Sequence, residues 1–208
     1  EIKEIYSGKK KEIKKRIKEF QKKLNNEEKD IFKELCFCIL TPQSKALNCW
    51  EAIENLEKKN LLLNGSLEEI IDELKNIRFK YKKAKYIIEA REKFLKTGKS
   101  SIKSTIKNYK NVHALREYIV KNINGIGYKE ASHFLRNVGL GNNLAILDRH
   151  ILKNLKDLRV INKIPETLTK KKYIEIEKKY IKFSKKIGIP SEELDLILWA
   201  KETGIIFK

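Results

Sequence analysis

Two glycines, a lysine and an aspartate lie close together in the sequence, in a pattern that could support attack on a carbon atom. Gly125 and Gly127 flank Ile126 between two segments with helical apolar spacing, which predicts a tight hairpin between two helices. Glycine accepts positive φ at such a turn, and its bare backbone lets another chain approach closely. Amide N–H groups at the start of a helix also bind phosphate. We therefore expect Gly125 and Gly127 to contact the backbone of a phosphate-bearing partner.

Lys129 falls in the first turn of the second helix, where the positive end of the helix helps an amine to lose its proton. An amine must be neutral to attack carbon, so Lys129 is the candidate nucleophile. Asp148 precedes the next helical pattern, where it could cap the helix and place a carboxylate near the amine. Taken singly, each has a simpler explanation. Most lysines on a basic chain are solvated surface charges, and an aspartate before a helix is usually only a cap.

The helices that must position these residues follow from apolar side chains at intervals of three and four. The pattern predicts helices at residues 1–24, 27–40, 44–59, 66–74, 82–97, 109–122, 129–138, 148–157, 168–187 and 191–203. Ser66 and Glu69 form a capping-box pattern at the start of the fourth helix. Because sustained strand alternation is missing from the sequence, we expect an all-α fold.

The composition limits the kind of partner. The net charge of +19, from 47 basic and 28 acidic residues, indicates a polyanion, but it does not distinguish DNA from RNA or from an anionic membrane. Apolar runs fall short of the roughly 20 residues that span a bilayer, and the sequence shows no signal peptide. We therefore expect a soluble cytoplasmic protein.

The chain has three cysteines, Cys36, Cys38 and Cys49, which are too few and wrongly spaced for a zinc or iron–sulfur site. Cys36 and Cys38 lie in an apolar helical run, which predicts buried, reduced thiols.

The hairpin INGIGYK (residues 123–129) and the segment LDRH (147–150) resemble the signature of the helix-hairpin-helix DNA glycosylases, L-P-G-V-G-x-K followed by a V-D-T-H-type segment. Asn124 occupies the position of the family's proline, and asparagine, like proline, favours a turn. The segments KEASHFLRNVG (129–139) and LDLILWAKETGIIFK (194–208) resemble the second, mainly archaeal type of 8-oxoguanine DNA glycosylase/lyase. The resemblance covers the whole chain. The cysteine cluster often found in the endonuclease III branch has no counterpart here, which favours the 8-oxoguanine type.

The resemblance implies two helical subdomains with the active site in the cleft between them. One would comprise residues 25–145, and the other residues 1–24 with 146–208. It implies a bifunctional glycosylase and AP lyase that excises 8-oxoguanine from duplex DNA through a lysine Schiff base and β-elimination. Lys129 would be the nucleophile, and Asp148 would orient the amine and stabilise positive charge on the sugar. We expect a monomer, associated with the nucleoid through DNA, that needs no cofactor and no divalent metal.

The resemblance also implies residues that bind the DNA. Gln43 would fill the space left by an extruded nucleotide, and the alternative is an ordinary loop at a helix start. Phe79 lies in a stretch that mixes aromatic and charged side chains, as a DNA-facing loop does, and it would either wedge into the base stack or belong to the core. Trp199, Asp195 and the carboxyl-terminal Lys208 would bind the flipped base. The hairpin carbonyls would bind a monovalent cation that bridges to a DNA phosphate, and they belong to Lys121, Ile123 and Ile126.

Two alternatives remain open from the sequence. The first is a glycosylase of the same fold that acts on oxidised pyrimidines or alkylated bases. The second is a non-catalytic DNA-binding protein that uses the hairpin only for backbone contact. The joint presence of Lys129 and Asp148 counts against the second, because backbone contact needs neither residue.

Overall fold

The structure, a computed structural model, describes residues 1–96 and 101–208, and every regular element in those residues is helical. The α-helices are α1 (Ile2–Lys22), α2 (Glu28–Leu40), α3 (Ala46–Lys58), α4 (Leu61–Asn64), α5 (Leu67–Glu73), α6 (Lys80–Arg91), α7 (Ile102–Lys107), α8 (Val112–Asn122), α9 (Tyr128–Asn137), α10 (Arg149–Asp157), α11 (Lys170–Ile187) and α12 (Ser191–Thr203). A 3-10 turn (Lys23–Asn25) follows α1, and a π-helical turn (Glu92–Lys96) follows α6. The all-α prediction is confirmed.

The chain divides into two compact units. The hairpin unit comprises Leu24–Phe134, and the terminal unit comprises Glu1–Lys23 together with Leu135–Lys208. The division falls inside α9, whose residues belong partly to each unit.

The core of the hairpin unit forms around α2, which is apolar on more than one face and is buried along most of its length. A helix that is apolar on several sides must be covered by neighbours rather than by solvent, and α2 packs against α3, α6 and α7. Cys36, Cys38 and Cys49 are buried free thiols, which confirms the prediction for the first two. The capping box is also confirmed, since Ser66 Oγ accepts from the Glu69 amide at 3.2 Å and Glu69 Oε2 accepts from the Ser66 amide at 2.8 Å.

In the terminal unit α1 packs along α12, as its buried apolar stripe requires. The Tyr6 hydroxyl donates to Glu193 Oε2 at 2.6 Å and so joins the two helices. Gly139, at φ +82°, lies against the end of α1, where a Cβ atom would meet Gln21 Cα at 2.6 Å. Glycine is therefore required at this position, because any side chain would force the end of α1 away from the backbone at residue 139.

The predicted helices correspond to observed ones with boundary shifts of a few residues, and two short helices escaped prediction. These are α4 and α7, each too short to show a clear apolar period. The helix predicted from residue 109 begins at Val112, because Asn111 caps it by accepting from the amides of His113 and Ala114. The helix predicted to end at residue 97 has its last position outside the described residues. Within the described ranges, none of the helices has the length and apolar character needed to cross a membrane.

Candidate active site and DNA-binding loops

The predicted hairpin occupies residues 123–127, between the end of α8 and the start of α9. Gly125 has φ +81°, and a Cβ atom there would meet Tyr86 Cδ2 at 2.5 Å, so both conformation and space require glycine. Ile126 is buried and anchors the turn, whereas Gly125 and Gly127 are exposed. The hairpin therefore presents bare backbone to its surroundings, as contact with a phosphate chain requires.

Lys129 is the second residue of α9, and its side chain is 23% exposed. Its Nζ forms an ion pair of 2.8 Å with Glu130 Oε1. The other carboxylate oxygen, Glu130 Oε2, accepts from the Gly127 amide at 3.2 Å. Glu130 thus joins the amine to the backbone of the hairpin, and in this structure it holds the amine at the start of α9.

Asp148 is the N-cap of α10, and its Oδ1 accepts from the Ile151 amide at 2.8 Å. The cap predicted from the sequence is therefore present. The loop that leads to Asp148 is held by α11. The Tyr173 hydroxyl donates to the Ala145 carbonyl at 2.5 Å, and Glu177 Oε1 accepts from the Ala145 amide at 2.9 Å. These contacts fix the backbone three residues before the carboxylate.

Asp195 is buried on α12 and pairs with the equally buried Arg136, whose Nη2 lies 3.3 Å from Asp195 Oδ2. Burial raises the pKa of the Asp195 carboxyl to about 7. The Arg136 guanidinium opposes this shift, and the Asp148 carboxylate adds to it. Asp195, one of the residues predicted to bind the base, therefore already forms a buried ion pair with Arg136.

Trp199 follows Asp195 by one helical turn and is partly buried. Its ring lies 6.1 Å from the Phe207 ring at an interplanar angle of 32°. The structure thus places an aromatic pair beside the last residue, Lys208, which is also partly buried. A flat apolar surface of this kind can stack on a base.

The two segments predicted to enter DNA share an uncommon backbone conformation. Gln43 and Phe79 have φ of +54° and +59°, in the left-handed region that non-glycine residues seldom adopt. Both side chains are exposed, Phe79 by 52%. Leu47 and Tyr81, close by in the sequence, are also exposed large side chains. Exposed apolar groups clustered in this way are typical of a binding surface.

The carbonyls predicted to hold a monovalent cation belong to the end of α8 and to the hairpin that follows it. Lys121 lies in the last turn of α8, where carbonyls have no acceptor role left within the helix. Ile123 has extended φ and ψ, and Ile126 lies between the two glycines outside both helices. All three positions therefore offer carbonyl oxygens outside the helical hydrogen-bond pattern, which fits a cation ligand.

Two residues at these sites were missed in the sequence. Glu130 stands three residues after Gly127, the spacing of a reciprocal helix cap, and that signal could have identified it. Lys83 is buried and hydrogen-bonded to the segment around Gln43. A lysine among other lysines carries no sequence signal of burial, so Lys83 could not have been found without the structure.

The chain matches the family model described as 8-oxoguanine DNA glycosylase over residues 13–189. It is 53% identical to an 8-oxoguanine DNA glycosylase/AP lyase of Fusobacterium nucleatum, covering 100% of this chain and 96% of the relative. It is 42% identical to the enzyme of the same name from Methanocaldococcus jannaschii, covering 100% and 99%.

Solved structures share the fold. The Methanocaldococcus jannaschii 8-oxoguanine glycosylase/lyase, in complex with 15mer DNA containing 8-oxoguanine, is similar with a TM-score of 0.89 and 40% identity, over 100% of this chain and 99% of that one. The Thermotoga maritima 8-oxoguanine DNA glycosylase has a TM-score of 0.88 and 34% identity, over 100% and 96%.

The helical fold and the glycine hairpin define a helix-hairpin-helix DNA glycosylase. The chain belongs to the 8-oxoguanine DNA glycosylase family. The resemblance drawn from the sequence is therefore confirmed.

Proposed function

We propose that this protein is a bifunctional DNA repair enzyme, a glycosylase and AP lyase that excises 8-oxoguanine from duplex DNA. One observation carries the proposal. A lysine lies in the first turn of the helix that follows an exposed glycine hairpin, in a chain similar over its whole length to 8-oxoguanine DNA glycosylase/AP lyases. The hairpin suits a phosphate backbone, and the lysine suits attack on the adjacent sugar.

In the mechanism that we propose, the Lys129 nitrogen bonds to C1′ of the damaged nucleotide. The glycosidic bond breaks, and its electron pair leaves with the base, which takes up a proton. The sugar ring then opens: the nitrogen loses its protons, O4′ gains one, and a Schiff base links lysine and C1′. A base removes a proton from C2′, and the resulting electron pair forms a C2′–C3′ double bond. The phosphate on the 3′ side is expelled, which nicks the strand.

The Asp148 carboxylate has the role of stabilising positive charge that develops on the sugar and on the amine. Its place as a helix cap supports this role, because the cap fixes one oxygen on the backbone and so orients the group. Lys129 must leave Glu130 before it reacts. The Lys129 side chain is 23% exposed, and when the amine leaves, the Glu130 carboxylate keeps its other oxygen on the Gly127 amide.

Further residues of the site are assigned by the family resemblance. Gln43 fills the gap in the duplex and Phe79 wedges into the stack, while the exposed backbone of Gly125 and Gly127 binds phosphate. Trp199 stacks on the flipped base, with Asp195 and Lys208 at its edge. The carbonyls of Lys121, Ile123 and Ile126 bind a monovalent cation, which would link the hairpin to a DNA phosphate. The protein acts as a monomer in the cytoplasm, on nucleoid DNA.

Borohydride trapping tests the proposal, because borohydride reduces a Schiff base to a permanent amine link. Duplexes with one 8-oxoguanine opposite cytosine, with oxidised pyrimidines and with no lesion are incubated with the protein. We expect a covalent complex only with 8-oxoguanine. Lys129→Gln should lose trapping by roughly 10⁴-fold or more, because the nucleophile is gone, while DNA affinity stays within about threefold.

Lys58→Gln is the matched control, since Lys58 is an exposed lysine in the last turn of α3. It should trap like the wild type. Trapping retained in Lys129→Gln would overturn the assignment of the nucleophile. Trapping with oxidised pyrimidines alone would keep the mechanism and change the substrate.

A further inference from the structure

A buried lysine holds the segment around Gln43 from both sides. Lys83 is 4% exposed, and its Nζ is within hydrogen-bond distance of three oxygens. It donates to the carbonyls of Leu40 and Pro42, both at 2.7 Å, and to Ser44 Oγ at 3.1 Å. These acceptors lie before and after Gln43 in the chain. All three hydrogens of the ammonium group are therefore used to fix one turn.

The same lysine reaches the segment around Phe79. Ser44 Oγ, which accepts from Lys83, also accepts from the Arg78 amide at 3.1 Å. The backbone amide of Lys83 donates to the Phe79 carbonyl at 3.1 Å, in the first turn of α6. One residue thus connects the turn of Gln43 with the helix start that carries Phe79.

These contacts maintain a conformation that the chain would not adopt readily. Gln43 and Phe79 are exposed and have positive φ, which costs free energy for a residue with a side chain. The lysine is itself held at a cost, because burial lowers the pKa of Lys83 to about 8. The charged and titratable groups that act on it are Cys49, Lys129, Glu130 and Arg78. Burial of the Lys83 cation and the positive φ of Gln43 and Phe79 both cost folding free energy. Stability alone therefore does not explain why these features occur together.

We propose that Lys83 is a positioning residue, which holds the loops carrying Gln43 and Phe79 in one fixed arrangement before DNA binds. This inference rests on the proposed function, in which both residues enter the duplex. Fixing the loops in advance removes the ordering cost that binding would otherwise carry. It also places both side chains for extrusion of the nucleotide, a step that is sensitive to small displacements.

The first experiment measures the free protein, so its result does not depend on any activity. Lys83→Met removes the three donors and keeps an unbranched side chain that ends one atom earlier, and Lys85→Met removes an exposed charge from the same helix. Hydrogen exchange at the Arg78 amide should be at least about tenfold faster in Lys83→Met and unchanged in Lys85→Met. The midpoint of urea unfolding should change little, because the relief of desolvation offsets the cost of three acceptors left without their donor. Unchanged exchange at Arg78 would overturn the proposal.

The second experiment compares two reactions of each variant. Excision of 8-oxoguanine from a duplex needs extrusion, whereas cleavage at an abasic site in single-stranded DNA does not. Lys83→Met should lower the single-turnover rate of the first by roughly 100-fold and of the second by less than about threefold. Equal losses in both, with a lower unfolding midpoint, would make Lys83 merely structural. A wild type inactive on both substrates would refute the proposed function, while the exchange measurement would still decide the role of Lys83.

The ratio of the two rates also has an expected pH dependence. Above about pH 8 the Lys83 ammonium loses a proton, and with it one of three donors. The ratio should therefore fall in the wild type between pH 7 and pH 9, and it should be flat in Lys83→Met. The nucleophile is common to both reactions, so its contribution cancels in the ratio. The same pH dependence in both proteins would overturn the proposal.

If Lys83→Met fails to fold, Ser44→Ala is the variant that tests the proposal. It removes the oxygen shared by Lys83 and Arg78 but leaves the two carbonyl contacts of the lysine. The Arg78 amide should again exchange faster, and the ratio of the two rates should fall, by a smaller factor than in Lys83→Met. An unchanged ratio would contradict the link between the loops.

Discussion

Lys129 and Asp148 are held in place by different means. The ion pair that holds Lys129 is local, since its partner Glu130 is the next residue and the same carboxylate accepts from the Gly127 amide. The loop before Asp148 is held by side chains from about 30 residues further along the chain. Tyr173 and Glu177 reach it from α11.

This difference has a chemical consequence. A nucleophile must move to form a bond, and the ion pair that restrains Lys129 is made with its neighbour on the same helix. A carboxylate that stabilises charge works best without moving, because fixed groups need no reorganisation during the reaction. Asp148 has one oxygen bonded to the Ile151 amide on a loop fixed by buried contacts. The mobile group and the rigid group are each built for their proposed role.

Among the variants that test this comparison, the largest effect is expected where the rigid carboxylate loses its charge. Asp148→Asn keeps an oxygen for the Ile151 amide, and asparagine caps helices as well as aspartate does. The free energy of unfolding should change by less than about 1 kcal/mol. Single-turnover excision should slow by roughly 100-fold or more, because the charge that stabilises the sugar cation is gone. Chemical denaturation and rate measurements on one preparation give both values.

Asp148→Ala is the matched control for the cap. It should lose about 1 kcal/mol of stability with the cap and be as slow as Asp148→Asn. If Asp148→Asn kept its rate within about threefold, Asp148 would be only a helix cap, and its contrast with Lys129 would disappear.

The same contrast explains what could be predicted from the sequence. The hairpin, the helix cap at Asp148 and most helices depend on neighbouring residues, so the sequence pattern contains them. The contacts of Tyr173, Glu177 and Lys83 join residues more than twenty-five positions apart. Burial of Lys83 and the pairing of Arg136 with Asp195 depend on packing between helices, for which a single sequence has no signal. The parts of the candidate site that depend on neighbouring residues could therefore be predicted from the sequence, and the contacts between distant residues could not.

A second prediction tests whether the hairpin is strained by conformation alone. Gly125→Ala adds a Cβ atom in the left-handed region and against Tyr86, 2.5 Å from its Cδ2. Gly188, the C-cap of α11, has a similar φ of +73° but open space around it. Gly188→Ala should cost about 1 kcal/mol from conformation, and Gly125→Ala about 2–3 kcal/mol, because the clash is added. Urea unfolding of both variants measures the difference, and equal costs would show that Tyr86 moves aside freely.

The smallest effect is expected at Glu130, and it decides whether the local restraint on Lys129 is part of catalysis. The two oxygens of Glu130 have separate partners, the Lys129 amine and the Gly127 amide. Glu130→Gln removes the charge but keeps an oxygen for the amide, so unfolding should change by less than about 1 kcal/mol. Glu130→Ala removes both contacts and should cost about 1 kcal/mol more, as loss of a helix cap does.

Trapping on abasic DNA separates the two roles that Glu130 could have. If the carboxylate only holds the resting amine, its loss in Glu130→Gln should leave the trapping rate within about threefold of the wild type or raise it. If the carboxylate took part in proton transfer, the same variant would be slowed roughly 100-fold while remaining folded. In that case Lys129 would depend on a fixed partner as Asp148 does, and the distinction between a mobile nucleophile and a rigid carboxylate would have to be abandoned.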